Sequence, residues 1–330
     1  GIDSKAVAYE PDRVSLVAEI GDGNGPVVGF DGHEDIVALG DAAKWDADAL
    51  SAKIADGKMF GRGTTDMKSG LMAGVFAMIH LKENNVPLHG TLRLMATVGE
   101  EYGQFGARQL AEAGYAKDLD TLIVGEPSGV VKQAVATPQI QQMLQINQDS
   151  ANKLMAANQT TEQHFIELAH KGSLTYTVSA QGVAAHSSMP EIGKNAIDSL
   201  LTFYQKQQAY FATITDKKNP VLGATVPVVT LIQGGEQINT VPASASISVK
   251  IRTIPEVPNT KLAADIQQLI DELNDNGEQL SLDIHSNLYP VHTADDAPVV
   301  KAAKEIGETD LQQVLPLIGV PGGTCLLYTS

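Results

Sequence analysis

Cysteine is almost absent. A single Cys325 in 330 residues leaves no pair for an internal disulfide and suits a reducing compartment, so a cytoplasmic location is expected. Long apolar runs are missing as well: none approaches the ~18 residues of a membrane span. The opening "GIDSKAVAYE" has no apolar signal core, and it also lacks Met, so it is not taken as the natural start. Cations are scarce, with 23 Lys and Arg against 39 Asp and Glu and a formal net charge of −16. Nucleic-acid backbones call for clustered Lys and Arg, so that class of partner is disfavoured. An acid excess suits a protein that gathers carboxylates around cations, although solubility alone also accounts for one.

What is present is an ordinary globular composition, 43% hydrophobic and 19% charged, in a chain long enough for two domains. Segments 13–20, 26–31, 91–98 and 120–125 are β-branched or apolar runs bounded by Gly, Asp or Pro, and read as buried strands. Between them, 66–82 and 104–114 have helical spacing, the first with Leu71, Val75, Met78 and Ile79 on one side. Alternating strands and helices predict an α/β sheet covered on both faces. Residues 131–169, rich in Gln, Asn and Ala, read as a polar helical excursion. From 171 the pattern changes to strand (173–180), helix (194–212), strands (226–233, 244–252), helix (259–274) and strand (279–285), a compact α+β module. After 286 an α/β pattern returns, with a helix near 297–307, so the module reads as inserted. The expected domains are 1–170, 171–286 and 287–330.

Chemistry-bearing residues gather at strand ends. "GFDGHEDIV" (29–37) ends its strand with His33, Glu34 and Asp35; "GRGTTDMKSG" (61–70) places Asp66 after a glycine-rich turn. "ATVGEEYG" (96–103) ends in Glu100 and Glu101, and "LIVGEPSG" (122–129) in Glu126. Taken singly each is commonplace: Asp66 is an ordinary helix N-cap, and Glu100 and Glu101 an ordinary solvated loop. Together they place an imidazole and several carboxylates where α/β sheets hold ligands, and such a cluster is costly unless cations neutralise it. Mixed His and carboxylate donors suit zinc or a similar metal.

In this order and at these intervals the four runs resemble the co-catalytic zinc aminoacylase and carboxypeptidase family, which includes acetylornithine deacetylase, succinyl-diaminopimelate desuccinylase, carboxypeptidase G and related dipeptidases. "GVAAHSSMPEIGKNAI" (182–197) and "INTVPASASISVKIR" (238–252) resemble that family's lid motifs, so the likeness covers nearly the whole chain. The resemblance implies a zinc-peptidase-like catalytic domain with a mixed, mostly parallel sheet, plus an inserted lid and dimerisation domain, in a homodimer. It implies two zinc ions, or Co or Mn in their place. His33 and Glu126 would bind one, Glu101 the other, and Asp66 would bridge them. Asp35 would orient the His33 imidazole through its carboxylate, and Glu34, on the opposite side of an extended chain, would not be a ligand.

Glu100 would be the general acid/base, taking a proton from the attacking water and passing it to the leaving amine. The absence of a nucleophile elbow agrees with hydrolysis lacking a covalent intermediate. His186 would stabilise the oxyanion, from the partner subunit in some relatives, and Asn239 and Arg252 would hold a substrate carboxylate. His80, His89, His164, His170, His285 and His292 read as structural or exposed. The expected substrate is an N-acyl amino acid, N-succinyl-diaminopimelate or an acetylornithine-like compound first. The alternatives are a dipeptide or tripeptide substrate, or a non-catalytic homologue that keeps the dimerisation domain.

The pattern breaks at "GVPGGTCLLYTS", where Cys325 stands in place of an expected Asp and no further His ligand follows. The chain as given is therefore expected to hold one metal well and a second weakly, with low or no activity.

Overall fold

Runs of Val, Leu and Ile become the strands, and their alternation decides which helix each side chain meets. The computed structural model describes residues 1–144, 146–157 and 160–322, which fall into two units, 1–129 and 130–322. Cys325 and the unusual ending around it lie outside the described residues.

The first unit contains β1 (Ser4–Glu10), β2 (Arg13–Gly21), β3 (Val27–His33), α1 (Ser69–Glu83), β4 (Thr91–Thr97), α2 (Phe105–Glu112) and β5 (Thr121–Val124). Its sheet has the order β1-β2-β4-β3-β5. β2 runs antiparallel to both neighbours, while β4, β3 and β5 are parallel, so four of the five strands point the same way. Adjacent residues face opposite sides. Ala18, Ile20 and Leu94 pack with Met78 of α1, whereas Val17 and Met95 pack with Leu110 of α2. Both faces are covered, as the alternating pattern predicts. Because β3, β4 and β5 are parallel neighbours, their carboxyl ends open at one edge of the sheet.

Helix α1 differs from its expected extent. It begins at Ser69, not at 66, so Asp66 lies in the preceding turn with extended backbone angles and is no N-cap. Leu71 and Met78 are buried, but Ile79 is exposed. Gly74 lies against the Phe30 ring and extends the buried stripe of Leu71 and Met78 to one side, and Ile79 falls beyond the opposite edge.

The second unit holds α3 (Pro138–Met143), α4 (Gln148–Ala157), β6 (Ile166–His170), β7 (Gly172–Gln181), β8 (Ala185–His186), α5 (Ala196–Ala212), β9 (Val226–Gly234) and β10 (Thr240–Val241). β11 (Ser244–Thr253), α6 (Asn259–Asp275), β12 (Leu280–Leu288), β13 (Val291–His292), α7 (Pro298–Thr309) and β14 (Leu317–Val320) complete it. An antiparallel sheet of order β9-β11-β7-β12 buries Leu174, Tyr176, Val178, Ile247, Val249 and Ile251 with Phe203 of α5 and Ile266 of α6. The strands either side of this module pair with each other: β6 runs parallel to β14 and antiparallel to β13.

Residues 131–169 are not simply a polar helical link. They contain two short helices and strands, and Val135, Leu144, Ala151 and Phe165 form a small core with Ile318. The apolar residues that build it are too widely spaced among Gln and Asn to stand out in the sequence. Among the described residues, no helix is long and apolar enough to cross a membrane.

Candidate metal centre

Three adjacent parallel strands deliver the site. His33 is the last residue of β3, Glu100 and Glu101 lie in the turn that follows β4, and Glu126 is two residues past β5. Asp66 enters from the turn before α1. That turn sits close to the end of β5, because Gly70 of α1 touches the backbone of Gly125: a Cβ at position 70 would lie 1.8 Å from the Gly125 carbonyl oxygen. Two glycines in contact thus fix the spacing between Asp66 and Glu126.

The ring of His33 is 1% exposed, so its bonding is set by protein groups alone. Nδ1 lies 3.0 Å from the Asp35 backbone carbonyl, which only accepts, so Nδ1 carries the proton and donates. Nε2 therefore offers a lone pair, 3.1 Å from Asp66 Oδ1 and 3.8 Å from Glu126 Oε1. Among the described residues, donor atoms of His33, Asp66 and Glu101 lie within 4.8 Å of one another. Lone pairs facing one another at these distances call for a proton or a cation between them. A tetrahedral ion bound at ~2.1 Å sets its donor atoms about 3.4 Å apart, between the two observed spacings. The residues fit a metal ion.

The protonation tendencies agree. Burial disfavours a charged His33, yet the carboxylates of Glu126, Glu100, Asp35 and Asp66 outweigh it and hold the ring above its ordinary pKa. Burial, then the charge of Asp66, raises Glu101 against the opposing pull of His33. Beneath the site, burial holds the Asp31 carboxyl well above its usual range; Glu126 and Glu100 add to this, while the Gly32 N–H and the Thr97 hydroxyl oppose it. Half-buried Glu100 is close enough for its charge to act on both His33 and Asp31. Glu34 is exposed, and Lys68 bonds its backbone carbonyl.

Asp35 meets the ring twice. Its carboxylate stands 3.6 Å from His33 Nδ1, within ion-pair range, and its backbone carbonyl makes the closer contact at 3.0 Å. Both carboxylate oxygens are turned toward the Gly99–Glu101 amides.

In the second unit the structure brings His186 and Asn239 together. β8 pairs with β10, and Ser187 N–H donates to the Asn239 carbonyl at 2.9 Å. His186 Nδ1 accepts from the Ser188 N–H at 3.2 Å, with the Ser188 hydroxyl 2.8 Å away. A backbone N–H only donates, so the imidazole proton sits on Nε2, the tautomer an oxyanion donor needs. Ser188 escaped notice in the sequence, although a hydroxyl two residues after a histidine is a usable signal. Arg252 stands apart from that pair. The β8-β10 ribbon leaves the sheet beyond the Ser244 end of β11, and Arg252 is eight residues along, roughly 26 Å at ~3.3 Å per residue. Its neighbour is Lys171, whose ammonium burial and the Arg252 charge hold below its ordinary pKa.

The sequence profile of peptidase family M20/M25/M40 matches residues 29–329. A probable succinyl-diaminopimelate desuccinylase of Staphylococcus epidermidis is 34% identical over 355 residues, covering 100% of this chain and 78% of the relative. One from Staphylococcus aureus is 35% identical over 354 residues, covering 99% and 78%. Among solved structures, an M20 family metallo-carboxypeptidase of Sulfolobus solfataricus superposes with a TM-score of 0.65 at 17% identity, covering 98% of this chain and 79% of that one. A tripeptidase of Staphylococcus aureus gives 0.62 at 19% identity, covering 100% and 78%. At such identities the two structures speak for the fold.

Proposed function

Since the chain belongs to peptidase family M20/M25/M40, we propose that it hydrolyses the amide bond of N-acyl amino acids, with N-succinyl-diaminopimelate the first candidate substrate. The observation that carries this is the convergence of His33, Glu101 and Glu126 at the ends of parallel strands with Asp66 from the turn before α1, and a further glutamate, Glu100, beside them. His33, Asp66 and Glu126 would hold one ion and Asp66 and Glu101 a second, with zinc the first choice and Co or Mn alternatives. Bound there, the ions would polarise the scissile carbonyl and lower the pKa of the attacking water.

The protein's own groups supply the rest. Glu100, anchored through its backbone beside Glu101, takes the proton from the attacking water and returns it to the leaving amine. His186 presents Nε2–H to the oxyanion, its tautomer set by the Ser188 N–H. Arg252 receives a carboxylate of the substrate. It is half-buried, lies beside Lys171, and makes no ion pair within 4.0 Å among the described residues, which suits an anionic acyl group in an otherwise acidic protein.

Arg252 and Asn239 of one chain lie too far apart to grip one carboxylate. If both act on one substrate, two copies contribute them, which supports a homodimer. The edge strand β9 offers a surface for one: it pairs only with β11 and exposes Val226, Val228, Leu231 and Ile232. On this reading residues 171–286 are the inserted lid and dimerisation domain, and a reducing cytoplasm accommodates the single cysteine.

The test is direct. Zinc-loaded protein is incubated with N-succinyl-diaminopimelate, N-acetylornithine and short peptides, and release of succinate, acetate and amino acids is followed. Succinate release is expected, and Glu100→Gln should lower kcat by ~10²–10⁴-fold with metal content unchanged. Hydrolysis of peptides alone would favour the dipeptidase or tripeptidase reading. Metal lost with Glu100→Gln would mean Glu100 is a ligand.

A further inference from the structure

One carboxylate beside His33 also reaches the neighbouring turn. Asp35 Oδ1 accepts the N–H of Gly99 and of Glu100, each at 3.0 Å, and Oδ2 accepts the N–H of Glu101 at 3.1 Å. Three successive backbone amides aimed at one anion form a nest, a geometry that usually surrounds a bound anionic ligand. Here the chain fills it with its own side chain, from more than sixty residues away in sequence.

The base of the turn is closed by backbone bonds. Gly99 at φ +77° is in the left-handed region, and the turn is closed at its base by Gln104 N–H to the Gly99 carbonyl at 2.7 Å and Gly106 N–H to the Val98 carbonyl at 2.9 Å. Nearer the tip, Asp35 takes the backbone N–H groups of Gly99, Glu100 and Glu101 themselves. An amide side chain could not replace them, because three N–H groups spread over two oxygens need acceptors on both, and Asn has only one. The cost is visible too: the charge of Asp35 acts against ionised Glu101. A carboxylate kept beside two glutamates in spite of that repulsion serves a purpose that neutral acceptors do not.

We propose that Asp35 is a positioning residue for the Gly99–Glu101 turn, and that through these amides it sets where the Glu100 and Glu101 carboxylates stand before any ligand arrives. Its catalytic consequence rests on the roles given to those glutamates above; the anchoring itself does not.

Amide hydrogen exchange of the metal-free full-length chain tests it. In the wild type, Gly99, Glu100 and Glu101 should be protected although they lie in a turn; unprotected amides there would overturn the proposal without any variant. In Asp35→Asn their exchange should quicken by about 30-fold, while the amides of β4 keep their protection. Unchanged exchange at 99–101 in that variant would also overturn it and leave Asp35 with the imidazole alone. Should Asp35→Asn lose β4 protection as well, Asp35→Ala with added formate carries the test: formate entering the emptied nest should restore protection at 99–101, and no restoration counts against it. In active protein Asp35→Asn should lower kcat more than it changes KM. Exchange and hydrolysis fail separately. Missing hydrolysis sinks the proposed function and leaves the anchor; unchanged exchange does the reverse.

Discussion

Gly70→Ala sets two physical effects against each other with opposite signs. Position 70 lies in the first turn of α1, where helix propensity alone makes Ala better than Gly by up to ~1 kcal/mol. Packing says otherwise. A Cβ there would sit 1.8 Å from the Gly125 carbonyl oxygen, and real Cβ atoms essentially never come closer than 3.0 Å. The backbones must separate by about 1.2 Å, an overpacking that typically costs ~1–3 kcal/mol. Neither atom is a flexible side-chain end that swings aside, so packing wins and the variant is less stable than wild type. The displacement falls on the residue before Glu126, whose Oε1 is now 3.8 Å from His33 Nε2. Metal sites tolerate ~0.2 Å in their distances, so zinc affinity should fall by about 10–100-fold. Urea unfolding of the metal-free protein reads the first effect and calorimetric zinc titration the second. A Gly70→Ala protein more stable than wild type, with an unaltered zinc isotherm, would refute the claim that this glycine contact spaces Asp66 from Glu126.

Two further outcomes concern stability away from the site. Arg93, buried in β4, bonds Glu19 at 2.5 Å, the Tyr115 carbonyl at 2.6 Å, and both oxygens of Asp118 at 2.5 and 3.0 Å. Arg93→Met should cost ~1–3 kcal/mol in denaturant unfolding, less than a fully buried pair would, because Glu19 and Asp118 are half-exposed and can rehydrate; a loss under ~0.5 kcal/mol would contradict this. His170, buried with Nε2 unpartnered, has its pKa lowered by burial despite the bond to the Lys171 carbonyl. Below pH ~6.5 the unfolded chain takes a proton the folded ring refuses, so stability falls with pH by up to ~1.4 kcal/mol per unit until the folded ring also titrates. The wild-type minus His170→Gln difference in unfolding free energy should show that slope between pH 7.5 and 5, and a flat difference would exclude it.

The sequence was most legible where one residue type admits one physical use. Val- and Leu-rich runs bounded by Gly or Asp became β2 to β5, and the runs carrying His33, Asp66, Glu101 and Glu126 stood out as acids and an imidazole recurring at or near strand ends, while the part given to each came from the family resemblance. Legibility failed where a position depends on what lies opposite it. Ile79 has the spacing of a buried residue and is exposed because the buried stripe extends to the other side, where Gly74 meets Phe30. The Val135–Ile318 core draws its members from both ends of a long interval, beyond the reach of any periodicity. Asp35 was found, but not its bonds: backbone amides carry no signature in the residues that bear them. The distance from Arg252 to Asn239 likewise depends on register, since a strand's direction and pairing turn thirteen residues of sequence into most of the length of a sheet.

The four donor residues do not stand on equal footing, and this bears on how such a site forms. His33 belongs to β3 itself and Glu126 follows β5 by two residues, so the sheet's own hydrogen bonds place both. Asp66 and Glu101 sit in turns, which lack that ladder, and Asp66 is more exposed than His33 or Glu101. Mutual repulsion among carboxylates pushes hardest on the members least held. Any metal-free form should therefore loosen first at the turns, and the two devices on the page act there: the Gly70–Gly125 contact beneath the Asp66 turn, and the Asp35 carboxylate beneath the Glu101 turn. Each acts on the backbone of a turn, so the starting points of the carboxylates proposed as ligands stay fixed. A site built this way keeps its acids near one another against their own charge, as the proposed ion would require.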